Sequence, residues 1–115
     1  LLINKETNKI IGDCGFHTWN KKHKRAELFY NLKFDSDKRK GLMTEALAEV
    51  LNFGFDDLEL HRIQAMVADY NIPSVKLLNH FHFQKEGICR EDYRVDGKNE
   101  DSVCYSLLKT EWKTN

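Results

Sequence analysis

Between residues 26 and 34 the chain alternates strictly, with Ala26, Leu28, Tyr30, Leu32 and Phe34 on one face and Glu27, Phe29, Asn31 and Lys33 on the other. A period of two predicts a strand with one buried face. Upstream, the apolar run Leu1 to Ile3, a polar turn at Glu6 to Asn8, and a second run from Lys9 to His17 carrying Ile10 and Ile11 read as a β-hairpin. The polar segment Asn20 to Arg25 then forms a solvated hairpin loop. Downstream the period changes. Leu47, Val50, Leu51 and Phe55 recur at helical spacing within a helix predicted from about Leu42 to Leu58. Ile63, Ala65 and Val67 return to alternation and predict a strand over Arg62 to Asp69. A helix follows from Asn71 to about Phe81, with Asn71 placed to cap it and Pro73 tolerated in its first turn. Two further strands, near Phe83 to Tyr93 and Ser102 to Lys109, are joined by a turn containing Asp96 and Gly97.

The strand, helix, strand order from Ala26 to Asp69 implies a right-handed crossover between neighbouring parallel strands, and the hairpins at either end imply antiparallel pairing. The fold class is therefore α/β with a mixed sheet. The chain of 115 residues, 41% hydrophobic and 31% charged, suffices for one core, so residues 1–115 are expected to form a single domain. Eighteen basic residues balance eighteen acidic ones, which leaves no global field to draw nucleic acid or an anionic membrane. No apolar run approaches bilayer length, and the first residues lack the basic region and apolar core of a signal peptide, giving the expectation of a cytoplasmic location. Cys14, Cys89 and Cys104 are odd in number and widely spaced, and read as reduced thiols in or near the core.

The stretch with the most chemistry runs from Asp37 to Leu47. Lys38, Arg39 and Lys40 lead into Gly41, and a helix-favouring segment follows at once. Such a junction offers unpaired backbone N–H groups and the positive end of a helix dipole, while Gly41 removes a Cβ that would keep a bulky anion away. A phosphate or pyrophosphate suits it. The pattern lacks the earlier glycine and the Ser or Thr of a Walker loop, and has one glycine where a dinucleotide fingerprint has three.

This segment, Lys-Arg-Lys-Gly-Leu-Met-Thr-Glu-Ala-Leu, resembles the acetyl-coenzyme A pyrophosphate loop of the GNAT N-acetyltransferases, in which Gln or Arg is followed by two residues, Gly, one residue, and Gly or Ala. Lys38 stands for the Gln or Arg, Gly41 matches, and Met43 replaces the small residue. Further blocks resemble the ribosomal-protein N-terminal (serine/alanine) acetyltransferase branch. Ala26 to Leu32 parallels its Ala-Glu-Leu-Gly-Tyr-x-Leu strand, Leu60 to Ser74 its Arg-Ile-x-Ala strand ending in Asn-x-x-Ser, and Leu77 to Gly87 its Leu-Leu-x-x-x-Gly-Phe-x-x-Glu-Gly. Tyr105 to Leu108 and the pair Glu111-Trp112 match the family's ending. Phe29 and His82 stand where the family has Gly. The resemblance implies a GNAT fold, a mostly antiparallel mixed sheet with a central parallel, splayed strand pair and flanking helices. Family domains begin with a strand and two helices ahead of the first strand here, so the chain is expected to be truncated at its N-terminus. An uncovered sheet edge would favour self-association.

The resemblance also assigns roles. Acetyl-CoA is the implied co-substrate, with backbone amides from Arg39 to Thr44, including Gly41, Leu42 and Met43, around the pyrophosphate and Lys38, Arg39 and Lys40 supplying charge. The pantetheine arm would run along the strand from Tyr30 through Leu32, Lys33 and Phe34, with Asn71 bonding it and Ser74 protonating the leaving thiolate. Leu77 and Leu78 occupy the region where many relatives carry a Tyr for that task. Ser74 is read equally as a first-turn polar residue that helps cap its helix. Amine acylation needs a base, and Glu27 is the first candidate, with His17 the second. His80 and His82 lack a third ligand of recognisable spacing, so no metal is expected. The expected reaction is direct transfer of an acetyl group to a primary amine, by resemblance a protein N-terminus. Polyamines and aminoglycosides stay open as acceptors, as does a non-catalytic fold that binds coenzyme A. Nucleic-acid binding rests only on the short clusters Lys21 to Arg25 and Lys38 to Lys40.

Overall fold

A computed structural model of the chain describes residues 2–4, 9–32 and 41–114. They belong to two units, residues 1–60 and 61–115. In the first, β1 (Leu2–Asn4), β2 (Lys9–Asn20) and β3 (Arg25–Leu32) form an antiparallel meander, followed by α1 (Leu42–Asn52). Ile3 lies opposite Ile10, Phe16 opposite Leu28, and His17 opposite Glu27. The alternation of β3 is borne out: Ala26 and Leu28 are buried, whereas Phe29 and Asn31 are exposed. Lys33 and Phe34, assigned to the same strand, lie outside the described residues, as does the turn at Glu6 to Asn8. Strand β2 continues past its expected end at His17. Thr18 takes a left-handed φ of 54° and the register shifts between His17 and Asn20, so the extension carries a bulge.

The apolar stripe of α1 is Met43, Leu47 and Leu51, continued by Phe55 in the turn that follows, all buried. Val50, expected on this stripe, is only half-buried, and Met43 takes part in the core instead. The helix expected to reach Leu58 is α-helical only to Asn52 and widens into a π-helical turn over Phe53–Asp57, closed by the Leu58 N–H donating to the Phe53 carbonyl (3.0 Å). Gly54 lowers the backbone cost of leaving α geometry, and the wider turn leaves Phe53 50% exposed while Gly54 and Phe55 stay buried.

The second unit contains β4 (Arg62–Val67), α2 (Ile72–His80), β5 (Gln84–Val95), β6 (Lys98–Leu108) and α3 (Lys109–Thr114). Strand β6 pairs antiparallel with both β4 and β5. Ile63, Ala65 and Val67 sit opposite Leu107, Tyr105 and Val103, and all six are buried. Strand β4 stops two residues before Asp69 because the Ala68 carbonyl accepts the Asn71 N–H and begins a turn. The Asp96-Gly97 turn has φ of 51° and 79°, as a two-residue type I′ hairpin requires, so β5 and β6 run right up to it, beyond their expected ends. Helix α2 ends with the Phe83 N–H bonded to the Leu78 carbonyl and the His82 N–H to the Asn79 carbonyl, with His82 at φ 66°. This is a Schellman ending, with buried Leu78 and Phe83 as its apolar pair. Helix α3 was not foreseen. It starts where the Glu111 carboxylate accepts the Leu108 N–H (2.8 Å), and Trp112 lies 6.1 Å from the Phe81 ring. No helix among the described residues is long and apolar enough to cross a membrane.

Candidate active site

Gly41 caps α1 in a left-handed conformation, φ 70° and ψ 13°, and its carbonyl accepts the first helical bond, from Glu45 N–H at 3.2 Å. Among the described residues no side chain caps this end. The first-turn N–H groups of Leu42, Met43 and Thr44 have no carbonyl four residues back within the helix, and with the dipole they favour an anion. The backbone amide of Met43 was the part expected beside a ligand, and its side chain is buried in the core. Lys38, Arg39 and Lys40, the expected source of charge, lie outside the described residues, and Leu32 closes β3 opposite Gly12.

The two residues offered by the sequence as alternative bases are brought together. His17 Nε2 and Glu27 Oε2 are 2.8 Å apart across the β2–β3 ladder, and His17 Nδ1 lies 2.9 Å from the Thr18 hydroxyl oxygen. Glu27 is 24% exposed and His17 48%. Phe29, two residues on from Glu27, places its ring 5.9 Å from the imidazole and covers Gly15 on the opposite strand, where an added Cβ would meet the ring at 3.4 Å. Alternation alone puts His17 and Glu27 on exposed strand faces. Their pairing depends on the register, which the hairpin loop and the Thr18 bulge set, and sequence spacing does not give that.

In the second unit Asn71 acts as a cap: its Oδ1 accepts the Ser74 N–H at 3.3 Å. Capping of α2 thus falls to Asn71, and the Ser74 hydroxyl is not required for it. Tyr70, beside Asn71, has its hydroxyl 3.4 Å from that of Tyr93, whose pKa is pushed up to about 12, chiefly by this bond. Sequence reading missed the pair because it joins the β4–α2 turn to β5 across 23 residues.

A polar cluster occupies the face of the β4–β6–β5 ladder turned away from Ile63 and Ala65. Arg62 grips both Glu86 oxygens, at 2.9 and 2.5 Å, and also donates to Gln64 (3.0 Å). The guanidinium holds the Glu86 carboxyl down at about 2, against the opposing effect of burial. Burial pushes the Cys104 thiol up, and the neighbouring Glu86 adds to this. Cys14, Cys89 and Cys104 are all free and half-buried. Among the described residues no group of three His, Cys, Asp or Glu is placed to hold a metal ion. A groove of about 610 Å³ lies in the first unit, lined by Cys14, Phe16, Trp19, Val50, Phe53 and Leu58. Cys14 and Phe16 point to the side of β2 opposite His17, so this groove is distinct from the His17–Glu27 pair.

These features define an α/β protein with an open, glycine-capped helix N-terminus and a paired imidazole and carboxylate on one sheet face. Comparison with known proteins makes the class specific. The family model described as "Acetyltransferase (GNAT) domain" matches residues 1–84, and the chain belongs to this family. An uncharacterized N-acetyltransferase, p20, from Bacillus licheniformis is 41% identical over 111 residues, covering 96% of this chain and 62% of the relative. The crystal structure of ribosomal-protein-S5-alanine acetyltransferase from Vibrio fischeri superimposes with a TM-score of 0.86 at 28% identity, over 96% of this chain and 60% of that one. A variant of spermidine N-acetyltransferase SpeG from Vibrio cholerae gives 0.89 at 22% identity, over 99% and 68%, a likeness of fold alone. The chain spans about 60% of the length of the curated relatives that match most of it.

Proposed function

We propose that the chain is an acetyl-CoA-dependent N-acetyltransferase that transfers the acetyl group directly to a primary amine, with residues 1–115 acting as one domain in the cytoplasm. The observation that carries this reading is the glycine-capped N-terminus of α1, which no side chain among the described residues caps, in a chain of the GNAT family. The amides of Leu42, Met43 and Thr44 and the charges of Lys38, Arg39 and Lys40 would hold the pyrophosphate. Leu32, Lys33 and Phe34 would border the pantetheine arm, and the Asn71 side-chain amide would bond it. Glu27 takes a proton from the ammonium form of the acceptor. The neutral amine attacks the thioester carbonyl, the N–C bond forms, and the C–S bond breaks. The second amine proton passes to the departing thiolate through the Ser74 hydroxyl, so that each turnover releases coenzyme A as the thiol and one proton to solvent. Three free thiols accord with a reducing compartment.

The acceptor we favour is a protein N-terminal α-amino group, supported by the likeness at 28% identity to an enzyme named for a ribosomal protein. Polyamines and aminoglycosides are the competing acceptors. Calorimetric titration with acetyl-CoA, comparing the wild type with the double variant Lys38→Ala, Arg39→Ala, tests the donor half. Micromolar binding, about −8 kcal/mol, that weakens in the variant supports it; a folded chain that binds no acetyl-CoA refutes it. Coenzyme A release with a serine-initiated peptide, spermidine or an aminoglycoside then identifies the acceptor. Binding without transfer to any of these amines would leave a coenzyme-binding domain.

A further inference from the structure

We infer that His17 is a positioning residue and proton relay for Glu27, carrying the proton taken from the acceptor amine out to water. The inference rests on the acetyltransferase reading, in which one proton must leave the site at every turnover. A carboxylate that accepts that proton must lose it again before the next acceptor arrives. Glu27 is 24% exposed and His17, at 2.8 Å, 48% exposed, so the imidazole offers the more open route to solvent.

The imidazole is held for this task. The Thr18 oxygen 2.9 Å from Nδ1 fixes the ring with Nε2 turned to the carboxyl of Glu27, and in the tautomer that carries its proton on Nδ1, Nε2 is the acceptor for a proton held by Glu27. The proton crosses from Glu27 to Nε2, leaving an ionised carboxylate against an imidazolium, and the ring then gives one proton to water. One proton enters the pair and one leaves it. Thr18 reaches Nδ1 from a left-handed φ of 54°, which a β-branched residue rarely adopts. Backbone strain of this kind is retained where the surrounding structure imposes a particular geometry. Phe29 closes the other flank of the ring, 5.9 Å from centroid to centroid, and limits the orientations open to it. Glu27 and His17 therefore act as a unit, where the sequence offered two independent candidates.

The experiment is steady-state coenzyme A release by the full chain, with acetyl-CoA and the amine that supports the fastest turnover, for wild type, His17→Ala, His17→Gln and Glu27→Gln. The relay predicts that His17→Ala lowers kcat about tenfold or more, within the range of general acid–base effects, and leaves the KM for acetyl-CoA unchanged. Added imidazole restores the rate of His17→Ala. His17→Gln, which keeps a hydrogen-bonding group near Glu27 but cannot carry a proton, stays slow. An unchanged kcat in His17→Ala overturns the relay. So does recovery in His17→Gln without rescue by imidazole, which would show that His17 only positions Glu27. Wild-type protein that releases no coenzyme A with any amine defeats the acetyltransferase reading itself, and the relay with it.

Discussion

Removing the Glu86 carboxylate should weaken the second unit by an amount that depends on pH in a defined way. Arg62 on β4 reaches past β6 to bind both oxygens of Glu86 on β5, so one ion pair ties together three strands. The Glu86 carboxyl drops from its ordinary 4.5 to about 2, first through its bond to Arg62. Shielded from water, that difference would correspond to about 3 kcal/mol. Glu86 is 42% exposed, however, and solvent screening reduces the contribution to about 1 kcal/mol. Because the folded carboxyl is the stronger acid, the unfolded chain binds its proton first as pH falls, and stability is lost as pH drops from about 4.5 through about 2. Above the unfolded value the contribution is fully present. Urea denaturation of wild type, Glu86→Gln, Arg62→Gln and the double variant should give a coupling of about 1 kcal/mol at pH 7, shrinking toward zero near pH 2. A coupling indistinguishable from zero at pH 7, or one that persists undiminished at pH 2, would refute the reasoning.

Three other outcomes are expected. His82→Gly should raise stability by about 0.5–1 kcal/mol in thermal or urea denaturation, because His82 occupies the left-handed position of a Schellman ending, where glycine has no Cβ penalty. Gly41→Ala should cost about 1–2 kcal/mol from backbone strain, since φ is 70° and no described residue lies within 4 Å of an added Cβ; an unchanged melting profile would exclude that strain. Cys14 and Cys104, whose thiols burial pushes up, should react with iodoacetamide at pH 8 more slowly than a free cysteine, and Glu86→Gln should accelerate Cys104. Mass spectrometry of tryptic peptides reads both.

Much of the architecture was legible because it follows from local rules. The alternation of residues 26–32, the helical stripe built on Leu47, Leu51 and Phe55, and the Asp96-Gly97 turn each depend on a few neighbouring residues. The Asn71 cap was legible for the same reason. What escaped depends on register or on competition between geometries. Nothing in the spacing of Phe53 to Asp57 distinguishes an α from a π turn, because Phe55 stays on the buried stripe in either. The short helix α3 has too few residues to show a period, and its start is fixed by a side-chain bond from Glu111. His17 and Glu27 were both visible as candidates, yet their pairing needed the β2–β3 register. The Arg62–Glu86 and Tyr70–Tyr93 pairs join residues 24 and 23 positions apart, beyond any local pattern.

Three of the departures from the family pattern, at Phe29, Met43 and His82, each have a local physical account, and together they bear on the division of labour in the proposed enzyme. His82 sits at the end of α2, where the family glycine would relieve a left-handed backbone, and the Schellman bonds hold the turn without it. Met43 replaces a small residue of the loop pattern, but its side chain turns into the core and leaves its backbone amide in the first turn of α1. Phe29 replaces a glycine and lies over Gly15 of the neighbouring strand, so an aromatic ring and a glycine face each other across the ladder. Met43 thus leaves the backbone that would hold an anion in its helical form, and His82 leaves the ending of α2 intact. Phe29 differs in kind, because it adds an aromatic surface beside His17 and Glu27. If pyrophosphate is held by amides and charge, a change at Phe29 should alter acceptor turnover before it alters acetyl-CoA affinity. The reverse order would place the coenzyme, not the amine, against that face of β3.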